Sequence, residues 1–487
     1  MKITELEPTL IWECFDEITK VPRPTHHLDK MREFLVDWAG RHGIEVATDE
    51  VGNVLMRKPA TPGHENAPTV VLQGHQDMVA EKRGDKVHDF LNDPITTIVD
   101  GDWVKADGTT LGADNGLGCA AGMAVLMDKT LVHGPIECLF TVDEEQGLIG
   151  ANGLQPGFVK GTILLNLDSE EHGSLVIGCA GGMVVDCKLP YKGVEAPKGK
   201  AYYKVHINHL KGGHSGMEIN LGRGNANQQL CRFLWENRDR FGMVLAAIEG
   251  GGLANASPRE AWAVVGIEPS QKQEFEEEVK KFSDMLHAEF LLAEGKDFTF
   301  DCEPAEAPEE AMDAMLADRL IAAMFSCPNG VQGMSNAVEG LVETSCNLAS
   351  VKKEDGEIKV TAHVRSSVDS RRDELADRIK ALFMMAGATV EFSNGYVGWA
   401  PNPESRVLNV AVESFEKLFG KKPKVEALHA GLECGLFLEK MPGMDMISFG
   451  PTLKDIHSPS EKANIPSVQA FWKFLCDILE TLANVKD

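Results

Sequence analysis

Four short phrases of this chain read as strands or turns that stop at a histidine or a carboxylate rather than at an ordinary turn residue. They are TVVLQGHQDMV with His75 and Asp77, TTLGADNGLGCAAGMAVL with Asp114, IECLFTVDEEQGLIGANG with Glu144 and Glu145, and TILLNLDSEE with Asp168. A fifth, MISFGPTLKDIHSPSEKANI, places His457 almost at the C-terminus. Helical patterns lie between the runs, the clearest being GLGCAAGMAVLMDK directly after Asp114. Short β-rich runs alternating with helices predict an α/β fold with a mostly parallel sheet covered by helices. Ligands of such sheets gather beyond the carboxyl ends of the strands, and every one of these side chains falls there.

The pattern changes after Asp168. AYYKVHINHLKGGHSG, AWAVVGIE and EIKVTAHVRSSVD alternate like strands of a half-exposed sheet. The acidic face of the helical stretch QKQEFEEEVKKFSDMLHAEF reads as solvated surface. At 487 residues two domains are the default. The first is expected over 1–186 and 397–487, interrupted by an inserted α+β domain over 187–396. Two segments of the insert, YKVHINHLKGGHSGMEINLGRGNANQQLCRFL and IKVTAHVRSSVDSRRDELADRIKALF, share the plan strand, polar loop, helix. An internal duplication and the commonness of that plan both account for this.

Composition narrows the partners. A net charge of −26, from 48 basic and 74 acidic residues, argues against nucleic acid, whose phosphates need a basic face. No run approaches the roughly 18 apolar residues of a membrane span. The N-terminal stretch is an amphipathic helix pattern that stops at Pro22, without the layout of a signal peptide. Eleven scattered cysteines with no C-x-x-C pair make a reducing cytoplasm the simplest home. GCAGG and GGGLANAS lack the lysine and spacing of a P-loop, and DGDWVKADGTTLGADNG lacks the acid spacing of an EF-hand.

Read singly, each candidate has an ordinary explanation: a polar turn for His75 and Asp77, a helix cap for Asp114, a helix start for Glu144 and Glu145. Read together, two histidines and several acids at one rim of one sheet point to a metal-dependent hydrolase. His75 and Asp77 are two apart, so in an extended strand end both point one way. Asp77 can then accept the imidazole N–H while the other nitrogen binds metal. Asp168 ends an apolar run, where a carboxylate needs a partner. Mixed imidazole and carboxylate donors suit Zn²⁺, with Co²⁺ or Mn²⁺ as substitutes.

The phrases GHQDMV, GADNGLG, TVDEEQGLIGA, NLDSE and DIHSPSE, with LKGGHSGMEI and EGGGLANASPRE of the insert, resemble the M20 family of di-zinc metallopeptidases over essentially the full length. Within it they are most like the dipeptidases that cleave unblocked Xaa-His substrates. The resemblance implies two Zn²⁺ per chain held by His75, Asp114, Glu145, Asp168 and His457, with Asp114 bridging. It implies Asp77 as the residue that orients His75 and Glu144 as the general base. His214 would stabilise the oxyanion from a lid formed by the insert. Asn255 and Arg365 would contact substrate, Arg365 at its C-terminal carboxylate, and Glu433 in HAGLECG would line the substrate pocket. AWAVVGIE lacks the basic residue many relatives carry there, a role Arg365 can take from the second repeat. A cytoplasmic homodimer is the accompanying expectation. An N-acyl-amino-acid deacylase or a tripeptidase of the same clan is the alternative.

Overall fold

The computed structural model describes residues 1–485, which form two compact units. The first comprises Met1–Gly178, Pro401–Ala427 and the chain from Leu432 onwards; the second comprises Cys179–Ala400 and Leu428–Gly431. The divisions fall at Gly178 and Ala400 rather than at 186 and 396, because the strand Gly181–Pro190 pairs wholly within the sheet of the second unit.

The first unit holds an eight-stranded sheet in the order Glu45–Thr48, Val54–Lys58, Ile136–Thr141, Val70–His75, Ile163–Asn166, Asp445–Ser448, Ser174–Cys179, Lys424–Leu428. The central four strands are parallel, as the alternation of runs and helices predicts. The flanks are antiparallel: Glu45–Thr48 pairs Val54–Lys58 across a short connection, and Ser174–Cys179 meets Asp445–Ser448. Every residue of Val70–His75 and Ile136–Thr141 is buried, which is why these strands read as largely apolar runs, with Gln73 and Glu137 as buried polar exceptions. Ala113–Met127 packs on Val70–His75 and on Thr9–Thr19; its Gly- and Ala-rich sequence lets it sit close. A small antiparallel sheet of Thr97–Asp100, Trp103–Ala106, Lys462–Asn464 and Leu453–Lys454 carries the loop that bears His457.

The second unit holds a nine-stranded antiparallel sheet. Its order is Thr299–Ala305, Ala201–Asn208, Ala261–Ile267, Val244–Gly251, Val342–Glu354, Glu357–Ser366, Gly181–Pro190, Thr389–Tyr396, with Gly330–Met334 also beside Val342–Glu354. In the sheet the two halves join where Gly250 and Gly251 face Val351 and Ser350. Each half has the same plan from edge to centre, with Lys272–Glu294 and Asp369–Met385 as matching helices. The counterpart of Glu357–Ser366 is therefore Ala261–Ile267, not Ala201–Asn208, which corrects the pairing of segments expected from the sequence. Arg365 thus lies on the strand that matches AWAVVGIE. One face of these strands is buried against helices around Phe233, Phe275, Phe282 and Phe300, whose rings pack edge-on or tilted. Among the described residues no disulfide forms, and no helix is long and apolar enough to cross a membrane.

Candidate metal centre

Three neighbouring parallel strands deliver the side chains of the first unit's site. Val70–His75 ends on His75, Ile136–Thr141 leads through Val142 and Asp143 to Glu144 and Glu145, and Ile163–Asn166 leads to Asp168. Asp114 comes from the first turn of Ala113–Met127, where it and Asn115 depart from helical φ/ψ. Two glycines make the approach possible. A Cβ on Gly74 would lie 2.2 Å from Asn115 Oδ1, and Gly112 holds φ +68° with Arg23 packed where its Cβ would be.

Asp77 is fully buried and organises both sides of the site. His75 Nδ1 lies 3.1 Å from the Asp77 carbonyl and 3.3 Å from its Oδ1, which fixes a proton there and turns Nε2 to the carboxylates. Asp77 also accepts from Glu144 N (3.0 Å), Glu145 N (3.3 Å) and Thr25 Oγ1 (3.0 Å), so one carboxylate sets the imidazole and the backbone of the glutamate pair. His75 Nε2 lies 3.0 Å from Asp114 Oδ1 and 3.4 Å from Asp168 Oδ1. His457 Nε2 lies 3.1 Å from Asp114 Oδ2 and 3.1 Å from Glu145 Oε2. Asp114 therefore offers one oxygen towards each histidine. Three sets have donor atoms close enough to hold an ion: His75, Asp114, Asp168; Asp114, Glu145, His457; and His75, Glu144, Glu145.

The electrostatics fit a cation. Buried Glu145 Oε1 and Asp168 Oδ1 have no hydrogen-bond partner, an uncommon state for buried oxygens. Burial, with neighbouring carboxylates adding to it, pushes Asp168 up to about 6 and Glu170 up to about 7. The same causes hold Glu144 well above the usual carboxylate range. The His457 imidazole, bonded to Asp114 and Glu145, is raised to about 10. A cluster with more negative charge than its own imidazoles can balance, and with oxygens left over, matches what a hard or borderline divalent ion requires.

Glu433 lies in the interior of the first unit. It is 2% exposed and opens the helix Glu433–Lys440. Its Oε2 accepts from Gln73 Nε2 (2.6 Å) and Thr141 Oγ1 (3.0 Å), and burial pushes the carboxyl up to about 8. Gln73 shares a strand face with His75 and Thr141 pairs with His75 in the sheet, so these bonds tie Glu433 to the strand ends that carry the site, and its buried Oε1 has no hydrogen-bond partner.

The second unit carries its own polar group. His214 Nδ1 accepts from Gly216 N (3.1 Å) and Met217 N (3.0 Å), so the ring proton sits on Nε2. Burial and the Arg365 charge hold His214 below the usual histidine range, leaving a neutral N–H donor. Gly216 gathers the group: a Cβ there would lie 3.1 Å from His214 Cε1, 3.2 Å from Arg365 Cδ and 2.0 Å from the His429 carbonyl. Arg365 Nη1 donates to Tyr396 OH (2.7 Å), while its buried Nε has no partner. His363 and His429 are pushed down to about 3 by burial and then by Arg365, so the guanidinium is the cation among them. Asn255 is exposed, and its carbonyl accepts from Ser215 N at 2.8 Å.

Thr25, Glu170, Tyr396, His363 and His429, and also Arg23 and Glu461, carry no signal in the sequence that marks them for a site. Glu461 stands inside the DIHSPSE phrase and Arg23 inside VPRP, but neither spacing marks a site.

The model of peptidase family M20/M25/M40 matches residues 71–481. A cytosol non-specific dipeptidase of Escherichia coli (strain K12) is 41% identical over 481 residues, 99% of each chain. The crystal structure of an aminoacylhistidine dipeptidase from Vibrio alginolyticus superposes with a TM-score of 0.95 at 42% identity, covering 99% of this chain and 98% of that one. A Staphylococcus aureus tripeptidase shares the fold alone, with a TM-score of 0.57 at 16% identity over 99% of this chain and 100% of that one. With matching that runs from the His75 strand to the last helix, and relatives alike over their full lengths, the chain belongs to peptidase family M20/M25/M40.

Proposed function

We propose that this chain is a metallo-dipeptidase that hydrolyses unblocked dipeptides, Xaa-His among them. The observation that carries the reading is Asp114, with one carboxylate oxygen turned to His75 and the other to His457. It is joined by the similarity to two dipeptidases over 99% of this chain. His75, Asp114 and Asp168 would hold one cation, and Asp114, Glu145 and His457 the other. Zn²⁺ suits these donors, with Co²⁺ or Mn²⁺ as substitutes. When bound, such a pair supplies Lewis-acid polarisation of the scissile carbonyl and lowers the pKa of a water from about 15.7 to about 7.

The protein groups do the rest. Glu144 is assigned as base rather than ligand, because the two sets that share Asp114 already use the other five residues. Its main chain is pinned by Asp77, and its raised pKa brings it closer to a base matched to neutral pH. It takes a proton from the attacking water and returns it to the leaving amine. His214 Nε2–H is the proposed donor to the oxyanion. Arg365 would receive the substrate's terminal carboxylate, with Asn255 as a further substrate contact. We expect Arg365→Met to raise KM about 10- to 100-fold, ~1.4–2.8 kcal/mol, with a smaller change in kcat. A dipeptide amidated at its C-terminus should lose as much with the native enzyme and little more with the variant. Equal losses for both substrates in the variant would remove Arg365 from that role.

The reading is tested by chelator-stripped protein, before and after Zn²⁺ is added, on an Xaa-His dipeptide and its N-acetylated form. Metal-restored cleavage of the free dipeptide alone is expected. Removal of the acetyl group instead would make the protein a deacylase, and no turnover with metal bound would end the catalytic reading.

A further inference from the structure

We infer that Glu461 is a positioning residue that presets the spacing between Asp114 and His457 before any ion arrives. The inference rests on the metal assignment proposed above, but it uses a residue outside the ligand set. Glu461 is 2% exposed. Its Oε2 accepts from Leu111 N (2.7 Å) and Gly112 N (2.9 Å), and its Oε1 from Ala113 N (2.8 Å) and Asp114 N (3.3 Å). Four successive amides at the start of Ala113–Met127 thus close on one carboxylate, the charge a helix N-terminus favours.

The other end of the tie is the loop of His457. His457 and Asp455 both occupy left-handed backbone, with φ +57° and +55°, a conformation that persists for such residues only where neighbouring contacts hold it. Ser458 Oγ donates to the Asp455 carbonyl (2.6 Å) and Glu461 N to the Ser458 carbonyl (3.0 Å), so 455–461 is one compact turn. The Glu461 side chain is where that turn is fastened to the Asp114 segment. Arg23, itself 2% exposed, grips the same segment through a carbonyl. It donates through Nη2 to the Gly112 carbonyl and through Nη1 to the carbonyls of Gln76 (3.0 Å) and Asp77 (2.9 Å). The segments bearing His75, Asp114 and His457 are therefore linked without using a single metal-facing atom.

Glu294 is the natural control. It is a buried carboxylate of the second unit that accepts from Lys211 N (2.7 Å) and Gly224 N (2.8 Å). The native chain, Glu461→Gln and Glu294→Gln would be stripped and titrated with Zn²⁺ against a chromophoric chelator. Glu461→Gln is expected to weaken binding about 10- to 100-fold at one or both ions, the loss typical when a ligand's support is removed. Glu294→Gln should bind like the native chain even if both variants melt earlier. Affinities within twofold of native in Glu461→Gln would overturn the inference. Should that variant not fold, hydrogen exchange of the native chain decides. Amides 111–114 protected equally with and without Zn²⁺ support a preset loop, and protection gained only on adding Zn²⁺ overturns it. A native chain that binds no ion would instead defeat the metal assignment, while slow exchange of amides 111–114 in the stripped chain supports the tie and fast exchange there overturns it.

Discussion

Glu144→Gln is expected to lower kcat on an Xaa-His dipeptide by about 10²–10⁴-fold, the range for loss of a general base, while KM and metal content stay near native. The substitution is nearly isosteric. The Glu144 main-chain N–H to Asp77 Oδ1 does not depend on the side chain, so the glutamate pair should keep its backbone. Neither ion set that shares Asp114 uses Glu144, so both ions should remain. What is lost is the ability to accept a proton, an interaction realised only in the transition state, and this lowers kcat and kcat/KM together. Glu433→Gln is the comparison: it also changes a buried carboxyl near the strand ends, but one already occupied by Gln73 and Thr141, and it should cost far less. Burial sets the sign of the stability effect. A carboxyl whose folded pKa lies above its unfolded value destabilises the fold as pH rises from the usual carboxylate range towards the folded pKa. An uncharged amide removes that penalty, so the melting temperature of chelator-stripped Glu144→Gln should not fall at neutral pH. Metal-replete Glu144→Gln with near-native turnover would refute the base assignment.

The rim of the sheet was legible because burial on both faces keeps the central strands largely apolar. A histidine or an acid at their ends then stands out against the run that precedes it, as His75 and Asp168 do. The edge strand Glu45–Thr48 carries no such mark, since it is partly exposed and reads like any hairpin. Strand, loop and helix recur at many crossovers, so the repeat in the second unit showed in the sequence but its true pairing did not; only sheet order assigns Glu357–Ser366 to Ala261–Ile267. The His214 tautomer depends on two amides of its own loop, Gly216 and Met217, whose directions no residue pattern encodes. Glu433 opens a helix, where an acid reads as a solvated first-turn residue, and its burial comes from strands far off in sequence. Arg23 and Glu461 were invisible for the same reason: their partners are backbone groups, which leave no trace in residue identity.

Asp114→Asn should abolish turnover by removing both ions, whereas Asp168→Asn should remove one. The difference follows from where the oxygens point. Asp114 Oδ1 lies 3.0 Å from His75 Nε2 and Oδ2 lies 3.1 Å from His457 Nε2, so this carboxylate belongs to both sets. An amide keeps one acceptor and turns an NH₂ towards the other ligand group, where a donor repels a cation and the neutral side chain no longer offsets its charge. Asp168 belongs to the His75 set alone, and its loss leaves Asp114, Glu145 and His457 intact. Metal analysis after dialysis should therefore find two ions per native chain, one in Asp168→Asn and almost none in Asp114→Asn, with activity lost in both because the proposed chemistry needs the pair. Hydrogen exchange adds a check on folding: amides 111–114 should stay protected in Asp114→Asn, since Glu461 bonds the backbone there and not the Asp114 side chain. Two ions retained by Asp114→Asn would mean that the carboxylate between the histidines bridges nothing. In that event the third set, His75 with Glu144 and Glu145, would have to hold an ion, and Glu144 could not then be the free base.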